Sequence, residues 1–175
     1  MDQLMLLKPG RDYAEGIFQY RSAFIMAGDP MDGTGSLYRM PDPEEWLTQV
    51  TDLARPETTP EDWVPTTQYI CVRPHDNRLV GMILLRHNLN EYLEQFGGHV
   101  EFSVLPDERG KGYATWMLKN VLRYAKDWGI ERVLLACDAG NAAARRVIEK
   151  NGGTALDKVI DPEYEIELER FTIKV

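Results

Sequence analysis

Apolar residues recur along the chain with two spacings, one typical of helices and one typical of strands. Helical spacing predicts helices from Arg11 to about Ala27, from about Pro43 to Leu53, from Ala114 to Trp128 and over 142–150. Alternating or continuous apolar runs bounded by turn residues predict seven strands, at 5–7, 67–72, 79–85, 99–104, 132–137, 155–160 and 164–175. The order is strand, two helices, three strands, helix, strand, helix and two strands. It predicts an α/β (α+β) fold in a single domain over residues 1–175, without internal repeats.

One segment, Val104–Thr115, joins a predicted strand to a predicted helix and has the composition of an anion-binding loop. Pro106 ends the strand because it lacks the N–H that a sheet requires. Gly110 and Gly112 allow a tight turn and a close approach of a ligand to the backbone. The N–H groups of the following helix turn attract anions, and Arg109 and Lys111 add positive charge.

Two common phosphate loops do not fit this segment. It lacks the Lys-Ser/Thr pair that ends a P-loop, and Thr115 stands where a GxGxxG motif has its third glycine. The sequence Arg109-Gly110-Lys111-Gly112-Tyr113-Ala114 instead resembles the acetyl-CoA pyrophosphate loop, Arg-x-x-Gly-x-Ala, of the GNAT-type N-acetyltransferase superfamily. Asn141, at the start of the last predicted helix, resembles the second cofactor motif of that superfamily, although it is also a good helix cap by itself.

The resemblance implies a GNAT fold, with a mixed, mostly antiparallel seven-stranded sheet and helices on both faces. In that fold the fourth and fifth strands, here His99–Val104 and Arg132–Cys137, splay apart to admit acetyl-CoA. By resemblance the cosubstrate contacts are the pyrophosphate loop, the central strand and the Asn of the second motif. They are Arg109, Gly110, Lys111, Gly112, Tyr113, Ala114 and Thr115, then Phe102, Ser103 and Val104, and Asn141.

Acetyl transfer to an amine requires a proton acceptor, and Glu101 is our first candidate. His99 is the second, since period-2 spacing places both residues on one face of the central strand together with Ser103. Family members commonly carry a Tyr that protonates the leaving thiolate, but this chain has Ile148 at the matching position. The substitution leaves the general acid open, and it motivates an alternative function as a non-catalytic CoA or acyl-CoA sensor. A third hypothesis is that the loop containing Gly110 and Gly112 binds a nucleotide.

The composition of the chain indicates which binding partners and which cellular location to expect. The net charge of -8 argues against nucleic acid, whereas residues 100–150 hold nine Lys or Arg against seven Asp or Glu, where the anionic cosubstrate would bind. The sequence has no membrane-length apolar run, no signal-peptide pattern and no metal-ligand spacing. Its two cysteines favour the cytoplasm. The expected acceptor is a small-molecule or peptide amine, and the oligomeric state stays open, a homodimer included.

Overall fold

Seven strands and four helices form the fold in a computed structural model, which describes residues 3–175. The helices are α1 Ala14–Ala27, α2 Pro43–Leu53, α3 Tyr113–Asp127 and α4 Ala142–Lys150. The strands are β1 Met5–Leu7, β2 Thr66–Arg73, β3 Arg78–Arg86, β4 Val100–Val104, β5 Arg132–Asp138, β6 Thr154–Asp161 and β7 Ile166–Lys174. The order is the one that the apolar spacing predicts, and the element ends differ from it by a few residues.

The strands form two antiparallel sheets that separate between β4 and β5. One sheet has the order β1-β2-β3-β4 and the other has the order β5-β7-β6. A single bridge between Gly98 and Leu135 connects them. Gly98 has a φ of +73°, and a Cβ atom there would lie 2.5 Å from the carbonyl oxygen of Leu134, so glycine permits this close approach. The predicted splay of the central strands is therefore present.

Helices cover both sides of the strands. Residues of α3 and α4 pack with Ile83 and Leu85 of β3 in one buried cluster, whereas residues of α1 and α2 pack with Met82 in a second cluster. Alternate residues of one strand point to opposite faces, so β3 contributes to both clusters. The gap between β4 and β5 therefore interrupts the layer of strands that lies between the two groups of helices.

The segment 87–98, between β3 and β4, contains a π-helical turn at Leu93–Gly97. The Gly98 N–H donates to the Leu93 carbonyl at 2.7 Å and closes this turn. Leu93 packs against Gly97, where a Cβ atom would lie 2.5 Å from the Leu93 side chain. The turn thereby delivers Gly98 and His99 to the point at which the two sheets meet.

A buried ion network holds the loop before α3 on the β2–β3 hairpin. The carboxylate of Glu108, which is 2% exposed, accepts from Arg73 Nη1 at 2.8 Å, from Arg78 Nη1 at 2.5 Å and from Lys111 Nζ at 2.6 Å. Burial alone would raise the pKa of Glu108, but the hydrogen bonds from Lys111 and Arg73 outweigh it and hold the pKa below its ordinary value. The charged carboxylate thus fixes the loop on which α3 begins.

Substituting Glu108→Gln is expected to lower the free energy of unfolding by about 2 kcal/mol at neutral pH, the scale of lost hydrogen bonds to charged groups. Because the folded-state pKa is lowered, the stabilisation exists above the unfolded-state pKa and disappears as pH falls through the folded-state value. Urea titrations at pH 7 and at low pH measure both effects. Asp107→Asn, at an exposed partner of Arg78, is the control and should cost much less. Equal losses in the two variants would contradict the role given to Glu108.

Candidate active site

The loop before α3 has the backbone of an anion cradle. Gly110 and Gly112 have φ values of +79° and +83°, a left-handed conformation that favours glycine. Gly112 is the N-cap of α3 and supplies no side-chain hydrogen bond to the first helical turn. The N–H groups of Ala114 and Thr115 therefore lie where an anion can accept from them, at the positive end of the helix dipole.

The two cations of the loop are paired with neighbouring carboxylates. Arg109 donates through Nη1 to Asp29 at 2.7 Å and through Nε to the Val104 carbonyl at 3.2 Å. Lys111 donates to Glu108. Both side chains lie beside the loop, where the sequence puts them, but their charges are largely neutralised. The backbone N–H groups are consequently the principal anion donors of the cradle.

The edge of β4 that faces the gap carries unpaired backbone groups. In the register with β3, Arg86 N–H donates to the His99 carbonyl and Leu105 N–H donates to the Val80 carbonyl. Because hydrogen bonds alternate along an antiparallel pair, the N–H and C=O groups of Phe102 and Val104 point away from β3. They face the gap that separates β4 from β5, where no strand of the described chain pairs with them. The Val104 carbonyl accepts from Arg109 Nε, so the groups left for a ligand are the N–H and C=O of Phe102 and the N–H of Val104. This edge can pair with an extended ligand.

Asn141 is a helix cap, and a second asparagine joins α4 to the cradle. The Asn141 side chain accepts from the Ala144 N–H at 3.0 Å. Asn151 donates to the Val147 carbonyl at 2.9 Å and to the Thr115 carbonyl at 3.3 Å, which ties the end of α4 to the first turn of α3. Asn151 was not among the sequence candidates, because its partner Thr115 is distant along the chain.

Glu101 lies in an ion pair at the mouth of the gap. Arg86 donates through Nη2 to Glu101 at 2.7 Å and through Nη1 to the Gly98 carbonyl at 2.9 Å. The side chain of Glu101 is 32% exposed, so it is open to a ligand. The arginine therefore holds the carboxylate in one position while leaving part of it accessible.

A second carboxylate, Asp32, lies beside Glu101 and was not among the sequence candidates. Its loop is held by Trp46 Nε1, which donates to the Thr34 carbonyl at 2.8 Å, and by Gln68, which donates to the Gly33 carbonyl at 2.7 Å. Ser103 on β4 donates to the Asp32 carbonyl at 2.5 Å. Since that bond uses the Ser103 proton, the buried Tyr20 hydroxyl donates to Ser103 at 2.9 Å.

The environment of Asp32 raises the pKa of its carboxyl group. Although the residue is exposed to the gap, the surrounding protein removes water from the carboxylate, and the nearby negative charge of Glu101 adds to the effect. Together these causes raise the pKa of Asp32 to about 6. A carboxyl group with such a pKa can both accept and release a proton near neutral pH.

His99 connects the two sheets instead of lying within β4. Its N–H donates to the Leu134 carbonyl at 2.7 Å, and its Nδ1 accepts from the Leu134 N–H at 2.9 Å. Burial and the nearby positive charge of Arg86 lower the pKa of His99 to about 4, so the ring is neutral at pH 7. With Nδ1 accepting, the ring proton is on Nε2, and the geometry favours a positioning role for His99 over that of a base.

Cys137 and Ile148 complete the surroundings of the gap. Burial and the negative charges of Glu169, Asp138 and Asp32 raise the pKa of Cys137 to about 11, although Arg145 opposes them. The thiol is therefore protonated at neutral pH and a poor nucleophile. Ile148 is 1% exposed and belongs to the core under α3. Its side chain cannot donate a proton, so the matching family position contributes packing here.

Splayed central strands and a glycine-rich helix N-terminus beside the gap are the arrangement that the resemblance to acetyltransferases implies. Residues 33–153 match the pattern of the acetyltransferase (GNAT) family. The chain belongs to this family, whose cosubstrate is acetyl-CoA. No functionally curated protein sequence shows significant similarity to the chain.

Solved structures share the fold at low sequence identity. A ribosomal-protein-S5-alanine acetyltransferase from Vibrio fischeri is 14% identical, with a TM-score of 0.77 over 99% of this chain and 94% of that chain. A ribosomal L7/L12 alpha-N-protein acetyltransferase in complex with coenzyme A is 15% identical, with a TM-score of 0.73 over 98% and 94%. The microcin C7 self-immunity acetyltransferase in complex with acetyl-CoA and AMP is 12% identical, with a TM-score of 0.72 over 100% and 94%.

Two structural features are absent from residues 3–175. No helix in this range combines the length and the apolar character that crossing a bilayer requires. The same residues contain no group of three or more His, Cys, Asp or Glu side chains arranged to hold a metal ion.

Proposed function

We propose that this protein transfers the acetyl group of acetyl-CoA to a primary amine by direct attack in a ternary complex. The observation that carries the proposal is the carboxylate pair Asp32–Glu101 beside the unpaired edge of β4. The pair supplies negative charge for a cationic amine and a proton acceptor next to the strand along which the cosubstrate lies in this family.

The cosubstrate is held mainly by backbone groups. The N–H groups of 110–115 bind the pyrophosphate at the start of α3. Asn151 ties the end of α4 to that turn, and Asn141 caps the start of α4. The outward N–H and C=O groups of Phe102 and the N–H of Val104 pair with the pantetheine arm as a neighbouring strand would. A backbone N–H near Val104 then polarises the thioester carbonyl.

The carboxylate pair removes the proton that would otherwise block attack. Asp32, with its pKa of about 6, accepts a proton from the acceptor ammonium, directly or through water. Glu101, fixed by Arg86, binds the cation and keeps the pKa of Asp32 raised. The free amine nitrogen forms a bond to the thioester carbon, the carbonyl reforms, and the C–S bond breaks to release CoA as a thiolate.

The leaving thiolate takes its proton from water. Neither Ile148 nor Cys137 is suited to donate it, the second because its pKa of about 11 lies above that of an ordinary thiol. Thiolates are stable leaving groups near neutral pH, so a dedicated general acid is not essential. Bringing the thioester and the amine together in one geometry supplies much of the rate enhancement.

The absence of a tyrosine at position 148 also supports a second candidate, a non-catalytic acyl-CoA sensor. Release of CoA from acetyl-CoA, measured over a panel of primary amines from pH 6 to pH 10, separates the two functions. The enzyme hypothesis expects amine-dependent release of CoA with stoichiometric acetylation of the amine. Tight CoA binding without release on any amine would favour the sensor.

The raised pKa of Asp32 gives a stability test that does not depend on turnover. A raised folded-state pKa means that the folded protein holds the proton more tightly than the unfolded chain, so Asp32 destabilises the fold as pH rises from about 4 to about 6. Asp32→Asn should therefore raise the melting temperature at pH 7.5 and change it little at pH 4. Thermal denaturation at the two pH values measures these changes in melting temperature. Asp12→Asn, in the short turn Arg11–Tyr13 before α1, is the control. A rise of the same size at both pH values would contradict the assignment.

A further inference from the structure

A cavity of about 230 Å³ lies between α2, the start of β2 and the π-helical turn. Its walls are mostly hydrocarbon and come from Val50, Leu53, Val64, Leu84 and Leu93. Two partly exposed aromatic side chains, Trp63 and Tyr92, also line it, at its rim. Apolar walls with few polar groups are typical of small-molecule sites.

The cavity is adjacent to the proposed reaction centre. Leu84, in its wall, is the cross-strand partner of Glu101, and such partners lie about 5 Å apart on one sheet face. Arg86, also in the wall, holds the Glu101 carboxylate. Gly35, three residues after Asp32 in the same loop, also lines the cavity. A molecule in the cavity can therefore place one end at the carboxylate pair.

We infer that this cavity binds the acceptor and selects a primary amine that carries one bulky apolar substituent, such as a phenyl or branched aliphatic group. The inference rests on the proposed acetyl transfer to an amine. The amine is expected to lie at Asp32 and Glu101 and the substituent between Leu53, Leu84 and Leu93. A cavity of about 150 Å³ accommodates a benzene ring, so a volume of about 230 Å³ admits one such group.

The charges of the lining support this class over the alternatives. Arg86 is neutralised by Glu101, and Asp62 is the remaining charged residue of the wall. An acidic substituent would meet Asp62 and a hydrocarbon surface and find no free cation there. A polyamine would need a second anionic site, which Glu45 and Asp52 of the neighbouring cavity behind Trp63 could offer. The polyamine is therefore the competing acceptor that the experiment must include.

The experiment compares amines that differ in their substituent, and it includes both free amines and peptides with a free N-terminus. CoA release from acetyl-CoA is measured with 2-phenylethylamine, 3-methylbutylamine, ethylamine and spermidine, and with the peptides Phe-Gly-Gly and Gly-Gly-Gly. Rates are compared at equal concentrations of free amine. Because even one methylene in an apolar pocket changes kcat/KM by about 10-fold or more, the two apolar amines should exceed ethylamine by at least that factor. Preference for Phe-Gly-Gly over 2-phenylethylamine would identify a peptide N-terminus as the source.

A matched pair of tryptophan variants locates the selection. Trp63 and Trp128 are 47% and 46% exposed, but Trp128 stacks on His87 and does not line the cavity. Trp63→Ala should raise KM for 2-phenylethylamine about 10-fold and leave KM for ethylamine nearly unchanged. Trp128→Ala should change neither KM. Calorimetric titration of 2-phenylethylamine into the CoA-saturated protein gives the same comparison without turnover.

The outcomes distinguish failure of the inferred acceptor cavity from failure of the proposed acetyl transfer. Equal kcat/KM for ethylamine and 2-phenylethylamine, a preference for spermidine, or equal effects of the two tryptophan substitutions would overturn the inference. If no amine releases CoA, the proposed transfer fails, and calorimetry then decides the cavity by itself. Binding of 2-phenylethylamine that weakens in Trp63→Ala would support the site, and absence of binding would overturn it.

Discussion

Replacing both carboxylates, Asp32→Asn with Glu101→Gln, is expected to lower kcat/KM for acetyl transfer by about 10³-fold, within the range for loss of a general base. Each single substitution should cost about 10²-fold, because the remaining carboxylate still attracts the cationic amine. CoA affinity should stay close to that of the wild type, since the contacts proposed for CoA are backbone groups of β4 and the α3 loop. Steady-state rates and calorimetric CoA titrations measure the two quantities.

The pH dependence identifies which carboxylate takes the proton. After correction for the free-amine fraction, wild-type kcat/KM should rise through about pH 6 as Asp32 loses its proton. In Glu101→Gln the midpoint should fall part of the way, because burial still raises the pKa of Asp32 but the added effect of the Glu101 charge is gone. In Asp32→Asn the rise near pH 6 should disappear. His99→Ala is the control for the other candidate and should alter stability more than the profile. A wild-type profile at undiminished rate in both carboxylate variants would exclude the pair.

Gly112→Val is expected to weaken CoA binding by about 100-fold or more. A β-branched side chain would stand at the N-terminus of α3, where the pyrophosphate must approach the backbone, and Gly112 has a φ of +83°. A factor of 100 corresponds to about 2.7 kcal/mol of binding free energy. Calorimetric titration with CoA measures the loss, and circular dichroism confirms that the fold persists.

The other end of the same helix provides the control for backbone strain. Gly129 follows α3, has a φ of +71° and has open space around it. Gly129→Val should therefore impose a similar conformational cost, of about 1–3 kcal/mol, without touching the cradle. Unchanged CoA affinity in Gly112→Val, or equal loss in both variants, would remove the loop from the cosubstrate site.

Local signals were sufficient for most of the fold. Helix α2 begins at Pro43, with Asp42 as a side-chain cap, and α4 begins after the cap Asn141, so both match the predicted ranges. The break between the two sheets was predicted from the family resemblance, because the apolar periodicity of the sequence does not indicate it. The π-helical turn at Leu93–Gly97 was missed, since its hydrogen bonding leaves no apolar period.

The candidate site was harder to predict, because its charges are set by contacts between distant segments. Asp32 lies in a glycine-rich loop, and only the folded chain brings it to Ser103 and Glu101. The pairing of Arg109 with Asp29 joins residues 80 positions apart, so the sequence could not show that this cation is neutralised. Roles for the named site residues, the cytoplasmic location and a homodimer stay predictions.

The unpaired edge of β4 also bears on association between molecules. An open strand edge in a folded protein is a template for another chain, and it commonly leads to aggregation unless it is short, covered or charged. Here the exposed stretch is only five residues long, His99 closes one end and Glu101 and Asp32 place negative charge beside it. The same backbone groups therefore stay free for a cosubstrate without being offered to a second copy of the protein.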